Sequence, residues 1–266
     1  MKEQFKSFTA NPYISLIIVF IIFFPQNTKA EKKEGNFFFE YNTGYSRFYL
    51  KDELMSELIY QQDREYEEFV FGYISDNVRS IASISSLKDD HFIGDHEHLQ
   101  IYNEVGNVTF ELSKRINNQF LTANNSTTYG GLALDYLWNE ISFTNQGINR
   151  PIWLGSLSLS AAFANTTRIS RNGILQFQLL TPILTYSARP PYVIFDQRPI
   201  NETKKDVKFA TLNKHRGVNF KTTYVYNYRK YINFSLNYHM NYVASDLQQK
   251  FRLFSQAVSL GAGVQY

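Results

Sequence analysis

Residues 232–242 read INFSLNYHMNY. The even positions carry Ile232, Phe234, Leu236, Tyr238, Met240 and Tyr242, and the odd positions carry Asn233, Ser235, Asn237, His239 and Asn241. A period of two belongs to an extended strand, whose successive side chains leave by opposite faces. A single stretch of this kind is weak evidence in a chain of this length, so recurrence decides. VNFKTTYVYNY sets Val218, Phe220, Thr222, Tyr224, Tyr226 and Tyr228 against Asn219, Lys221, Thr223, Val225 and Asn227. WLGSLSLSAAF sets Trp153, Leu157, Leu159, Ala161 and Phe163 against Ser156, Ser158 and Ser160. GGLALDYLWN, VTFELS and FFFEYNTGYS repeat the pattern around Leu132, Phe110 and Phe39.

A soluble sandwich also alternates, but it buries aliphatic side chains and turns charge outward. In this sequence the polar flank is mostly small and uncharged (Asn, Ser, Thr, Gly), and the apolar flank is aromatic toward segment ends. That combination suits lipid on one side, tyrosines at the interfaces and a polar interior on the other. The expected fold is all-β: a transmembrane antiparallel up-and-down β-barrel of about ten strands, with eight or twelve as alternatives. Counting back from Tyr266 places strands near 250–266, 231–244, 217–229, 172–188, 152–168, 127–143, 99–113, 68–84 and 36–49. Residues 51–67 read as a tenth strand or a short capping helix, and 78–86 as a possible strand of its own. Short connections at 168–173 and 228–231 fall on one side of the membrane. Longer ones at 85–98, 144–151 and 189–216 fall on the other. Pro182 marks a bulge or a local break in pairing.

Composition narrows the function classes. The 266-residue chain has no cysteine, so disulfides and thiolate chemistry are excluded. Its mean hydropathy of −0.33 is too low for a bundle of membrane helices. The N-terminal stretch has lysines at 2 and 6, an apolar run from Ile14 to Phe24, and a small-residue exit at Ala30. That run is short of the roughly 20 residues a spanning helix needs, so residues 1–30 read as a signal peptide cleaved after Ala30, with an uncleaved anchor as the alternative. Residues 31–266 then form the barrel domain. Formal charge falls from 27 − 24 = +3 to 24 − 23 = +1 on cleavage, which argues against nucleic acid as a partner. Asn-x-Ser/Thr sequons at Asn107, Asn125, Asn165, Asn201 and Asn233 are read as products of an Asn/Thr-rich composition, since Asn233 already lies inside the strict alternation.

The chain ends VSLGAGVQY, with Val258, Leu260, Ala262 and Val264 at even spacing before the terminal Tyr266. This ending, with the alternation over residues 35–266, resembles the bacterial outer-membrane β-barrel proteins as a class, without pointing to one family. The resemblance implies recognition of these five residues by the barrel-assembly machinery. It also implies residence in the outer membrane of a Gram-negative envelope, among its lipids and lipopolysaccharide.

Three groups of residues are candidates for function. Glu40, Glu111, Asp135, Lys221 and His239 fall on the polar flank and are expected to form a hydrogen-bonded network that fills a narrow lumen. Lys221 is expected to pair with Asp135 or Glu111, because an isolated interior charge is costly. The stretch KDDHFIGDHEH (88–98) offers His91, Asp95, His96 and His98 as possible ligands for Zn²⁺ or Cu²⁺. It has the residue types found at the rim of the ten-stranded omptin proteases, without that family's spacing. The basic stretch 189–216 offers Lys204, Lys205, Lys208 and Lys214 as contacts for lipopolysaccharide phosphates. No nucleotide, haem or flavin motif is visible, and no cofactor is expected. The leading expectation is a structural or small-solute envelope protein without catalysis. The alternatives are a barrel hydrolase acting on lipid or peptide, in which His239 would serve a serine such as Ser235 or Ser255, and a soluble exported β-sandwich adhesin.

Overall fold

The computed structural model describes residues 35–52, 59–93, 100–116, 125–143, 152–189, 206–246 and 250–266. The expected signal peptide lies outside them. The described residues form β1 (Asn36–Asp52), β2 (Ile59–Ile74), β3 (Val78–Ile93), β4 (Gln100–Arg115), β5 (Ser126–Phe143), β6 (Ile152–Arg168), β7 (Gly173–Arg189), β8 (Asp206–Thr211), β9 (His215–Arg229), β10 (Ile232–Ser245) and β11 (Phe251–Gln265).

Chain neighbours other than β8 and β9 pair antiparallel, and β1 pairs with β11 to close the sheet on itself. β8 and β9 follow one another along β7 and together make one wall position, so the barrel has ten strand positions. Closure removes the two open edges that a flat sheet would have, which only a barrel achieves, while β8 pairs with β7 alone among the described strands. Register can be followed around the wall from Asn36 through Ile74, Arg79, Ser113, Gly131, Ala162, Leu180, Asn219, Asn241 and Ser255. It returns to β1 at Phe48, an offset of 48 − 36 = 12 residues. Twelve steps of about 3.3 Å against ten strand spacings of about 4.8 Å give a tilt of roughly 40° and a backbone radius of about 10 Å. Side chains reaching inward from all sides of so narrow a cylinder meet near its axis.

The two flanks of the strands are sorted as lipid would require. Phe234 and Leu236 are 48% and 49% exposed, while Asn233, Ser235 and Asn237 between them are 4%, 5% and 1% exposed. The same inversion runs along β5 and β6, where Leu132, Leu134 and Leu157 face out and Ser156, Ser158 and Ser160 are buried. A β-sandwich would place these apolar flanks inside. Asn107 and Asn233, two of the five sequon asparagines, are buried and face inward.

Several sequence-based boundaries are corrected. The strand expected near 68–84 is two strands, β2 and β3, in line with the alternative of a separate strand at 78–86, joined by a tight turn at residues 75–77. There the Ser75 N–H donates to Val78 O at 2.8 Å and the Val78 N–H donates to Ser75 Oγ at 3.1 Å. Residues 59–67 belong to β2, and 85–93, expected in a long connection, continue β3. The expected loop 189–216 contains β8, and β9 begins at His215 within it.

Candidate functional site

The first and last strands define one end of the barrel, where Phe37 N–H donates to Tyr266 O at 3.1 Å and Tyr266 N–H donates to Phe37 O at 2.8 Å. The lumen above this terminal end is filled by two different chemistries.

The half nearer the termini is a polar floor. Glu68 on β2 is at its centre, accepting from Lys221 Nζ of β9 at 2.6 Å and from Asn42 Nδ2 of β1 at 2.9 Å. Asn42 Oδ1 in turn accepts from Asn237 Nδ2 at 2.9 Å, and Asn237 Oδ1 accepts from Thr223 Oγ1 at 2.7 Å. Ser235 Oγ donates to Glu40 Oε1 at 2.6 Å. The network rests on bare backbone at Gly261: a Cβ there would stand 1.9 Å from Asn42 Oδ1 and 2.3 Å from Ser235 Oγ. A second knot surrounds Glu111, which is fully buried and accepts from Arg79, from Gln178, and from Ser113 Oγ at 2.7 Å. Asp135 accepts from Thr109 Oγ1 at 2.7 Å. His239 has both ring nitrogens engaged, Nδ1 with Tyr66 Oη at 3.3 Å and Nε2 with Asn219 Oδ1 at 2.9 Å. Neither partner is a serine.

Glu40, Glu111, Asp135, Lys221 and His239 therefore all face the lumen, but the expected pairing does not form. The partner of Lys221 is Glu68, not Asp135 or Glu111, and Glu111 is taken by Arg79. Glu68 and Arg79 are absent from the sequence-based candidates: the strand expected there begins near 68 and leaves open whether 78–86 is a strand of its own. Glu68 then stood at a boundary, with no face to assign. The phase set by Phe69, Phe71 and Tyr73 would have turned Glu68 inward.

The half farther from the termini is an apolar crown. Phe48 and Leu50 of β1, Leu87 of β3, Val105 of β4, Leu137 of β5, Leu154 of β6, Val243 of β10, and Phe251 and Leu253 of β11 form one buried cluster. The Arg64 guanidinium lies 4.6 Å from the centre of the Phe48 ring. The lumen is thus not polar throughout, as the sequence pattern suggested. Between the floor and the crown, a cavity of about 20 Å³ is lined by Ser46, Asn107, His239 and Asn241 among others. A second, of about 40 Å³, lies beside Glu40, Glu68, Arg79 and Lys221. A water needs roughly 10–15 Å³ of such space, so these cavities suit a few waters and no larger solute.

The remaining candidates are placed as follows. His91 is on β3 with its side chain outside the described set, and Asp95, His96 and His98 lie outside the described residues. Among the described residues no group of three or more His, Cys, Asp or Glu could hold a metal ion. Lys204 and Lys205 also lie outside; Lys208 is on β8 and Lys214 is in the turn that follows it. Val258 and Leu260 of β11 and Tyr266 just after it are strongly exposed, with Ala262 and Val264 of β11 on the same flank.

Closed topology and inverted faces together define the fold as that of the outer-membrane β-barrels. No protein-family model matches the chain, and no curated protein matches it by sequence. Among solved structures it is similar to the outer membrane protease OmpT from Escherichia coli, at 9% identity and TM-score 0.44, over 90% of this chain and 99% of that one. It is also similar to Neisserial surface protein A, at 11% identity and TM-score 0.38, over 88% and 100% of the two chains. A third is Ail, the attachment invasion locus protein of Yersinia pestis, at 12% identity and TM-score 0.38, over 88% and 99%. These are likenesses of barrel architecture and carry no correspondence between residues.

Proposed function

We infer that the chain is an integral protein of a bacterial outer membrane, a structural or small-solute envelope protein whose lumen is held shut. The observation that carries this reading is the double filling of the interior: a hydrogen-bonded floor, and above it an apolar crown through which a hydrated ion would have to shed its water. The termini and the short turns would lie in the periplasm, with the crown toward the cell exterior. The even-spaced outward residues of β11 would then serve as the signal to the barrel-assembly machinery. Lys208 and Lys214 lie toward the crown end, which would meet lipopolysaccharide phosphates, and Lys204 and Lys205 are proposed as further contacts.

Two measurements test this. The mature chain should fractionate with outer membranes, need detergent for extraction and run faster on gels before boiling than after it. In a planar bilayer it should add no steady conductance above background. A chain that stays folded in plain buffer would remove the membrane assignment, and stable open channels would remove the closed lumen. Substituting all four lysines should lower co-purifying lipopolysaccharide, and unchanged lipid content would refute that contact.

A further inference from the structure

At the crown end, one row of the wall carries a run of cations on its outward flank. Arg216 of β9 stands opposite Ala244 of β10, Ala244 opposite Arg252 of β11, and Arg252 opposite Lys51 of β1. Arg216 lies between buried His215 and Gly217, and Arg252 between buried Phe251 and Leu253; both arginines are exposed. Like charges directly opposite one another on adjacent strands repel. Elsewhere at this end the wall sets opposite charges in register: Arg47 faces Asp63 and is bonded to it, and Lys88 stands between Glu65 and Glu104. Among the described residues Lys51, Arg216 and Arg252 form no ion pair, not even with the exposed Asp246 just beyond β10. An anion from outside the chain would relieve the repulsion between Lys51 and Arg252.

Two features of the row define that anion. Two strand spacings set Arg216 and Arg252 about 10 Å apart, and Ala244 between them projects only a methyl group. Guanidinium groups reaching in from both sides can close on a phosphate, to which each offers paired N–H donors. One pleat nearer the termini, the outward flanks of the same strands carry Val218, Tyr242, Phe254 and Tyr49, again in register. The Tyr49 and Phe254 rings lie 5.9 Å apart, and the facing pair Phe220 and Met240 continues the apolar path along β9 and β10. Cations directly above such a platform match a lipid better than a freely dissolved anion.

We propose that Arg216, Arg252 and Lys51 form a seat on the outward wall for a phosphomonoester on the head of an outer-leaflet glycolipid, the phosphorylated anchor of lipopolysaccharide. The phosphate lies over Ala244, Lys51 adds a third positive charge, and an acyl chain descends past Tyr242 and Met240. A phosphomonoester carries about −1.5 to −2 charges at neutral pH, and three cations suit it better than the single charge of a phosphodiester. The seat rests on the reading that the barrel spans an outer membrane with its crown outward, and it uses none of the lysines proposed above.

The test measures lipid retained by the folded chain in detergent micelles, by native mass spectrometry, with lipid A, lipid A stripped of its phosphates, or phosphatidylglycerol. Lipid A is expected to be retained about ten-fold or more over either of the others, the worth of one charge-assisted hydrogen bond. Inorganic phosphate at the same concentration should not displace it. Arg216→Gln combined with Arg252→Gln should lower retention of lipid A by a similar factor. Ala244→Glu, which sets a carboxylate in the gap, should do the same. The gel shift of each variant reports whether the barrel still forms. Without lipid A the double arginine variant should have an unchanged or higher urea midpoint, because it removes like charges from one row. Adding the two arginine changes to the chain that already lacks the four lysines should bring a further loss of lipid A, which separates the seat from those contacts. Equal retention of the phosphate-free lipid, or indifference to both variants, would overturn the seat and leave the barrel reading standing. Equal retention of phosphatidylglycerol would overturn the phosphomonoester, and displacement by inorganic phosphate would overturn the lipid. A chain that stays folded without detergent would overturn the membrane reading and the seat together.

Discussion

The floor and the crown fill the same cylinder by opposite means. In the floor each side chain is held by named partners: Lys221 by Glu68, Glu68 by Asn42, Asn42 by Asn237 and Asn237 by Thr223. Those bonds tie β1, β2, β9 and β10 together across the lumen, so they also fix which strands sit where. In the crown, Phe48, Leu50, Leu253 and their neighbours are buried without directional bonds and contribute by filling space. The floor specifies and the crown seals. Damage to the floor should therefore depend on partners, and damage to the crown should depend on volume.

The largest effect is expected at the ion pair. Lys221→Met leaves Glu68 buried beside no cation, and breaking a buried pair in this way costs about 3–5 kcal/mol. The variant should unfold at clearly lower urea in detergent, read by loss of the fast-migrating gel form. Adding Glu68→Leu should recover most of that loss, because replacing both charges by apolar groups is often neutral or better. A double variant as weak as the sum of its two single variants would show that the floor is not partner-specific.

In the crown, Leu253→Ala should cost about 2–5 kcal/mol, the transfer and cavity terms for a fully buried leucine. Restoring a partner residue elsewhere should not recover it, and the small cavity left behind should admit no ions, so conductance stays at background. If Leu253→Ala instead opens a steady current without loss of stability, the crown is a gate and not a packed seal.

The sequence made the wall far more legible than its filling. Alternation assigned the outward flank along β1, β4, β5, β6, β9 and β10, because lipid and lumen demand opposite side chains at every step. It failed at Glu65-Tyr66-Glu67-Glu68 of β2, where carboxylates stand on both flanks and the period disappears. It also failed to anticipate the crown. Phe48, Leu50, Phe251 and Leu253 occupy inward positions but look, one by one, like residues of the lipid-facing set. Which inward side chains meet depends on the twelve-residue offset around the barrel, and no local pattern carries that quantity. This is why Lys221 could be recognised as needing a carboxylate while the carboxylate itself was misassigned.

The outward surface sets the scale for both halves of the interior. Leu260 is 67% exposed near the middle of β11, and in a soluble protein an arginine there would change stability little. Facing hydrocarbon, Leu260→Arg should cost about 2–4 kcal/mol, falling as the substitution is moved toward either end of the strand. A depth profile over Val258, Leu260 and Val264, measured by refolding into vesicles, would show this. A flat profile would mean that lipid does not meet this flank.

The smallest effect is expected at the Arg47–Asp63 pair, on the outward flanks of β1 and β2 toward the crown end. Its geometry is good: Arg47 Nε donates to Asp63 Oδ1 at 2.7 Å and an Nη donates to Oδ2 at 3.0 Å. The interaction resembles the Lys221–Glu68 pair in distance and differs from it in surroundings, since both side chains of the outer pair are largely exposed. Water and salt screen such a pair, and holding two long side chains in one geometry offsets much of what remains. Asp63→Asn should therefore leave the urea midpoint of the gel shift unchanged within error, at low and at high salt alike. A loss comparable to that of Lys221→Met would mean that burial is not what separates the two pairs. The crown end would then be enclosed by something beyond the strands themselves.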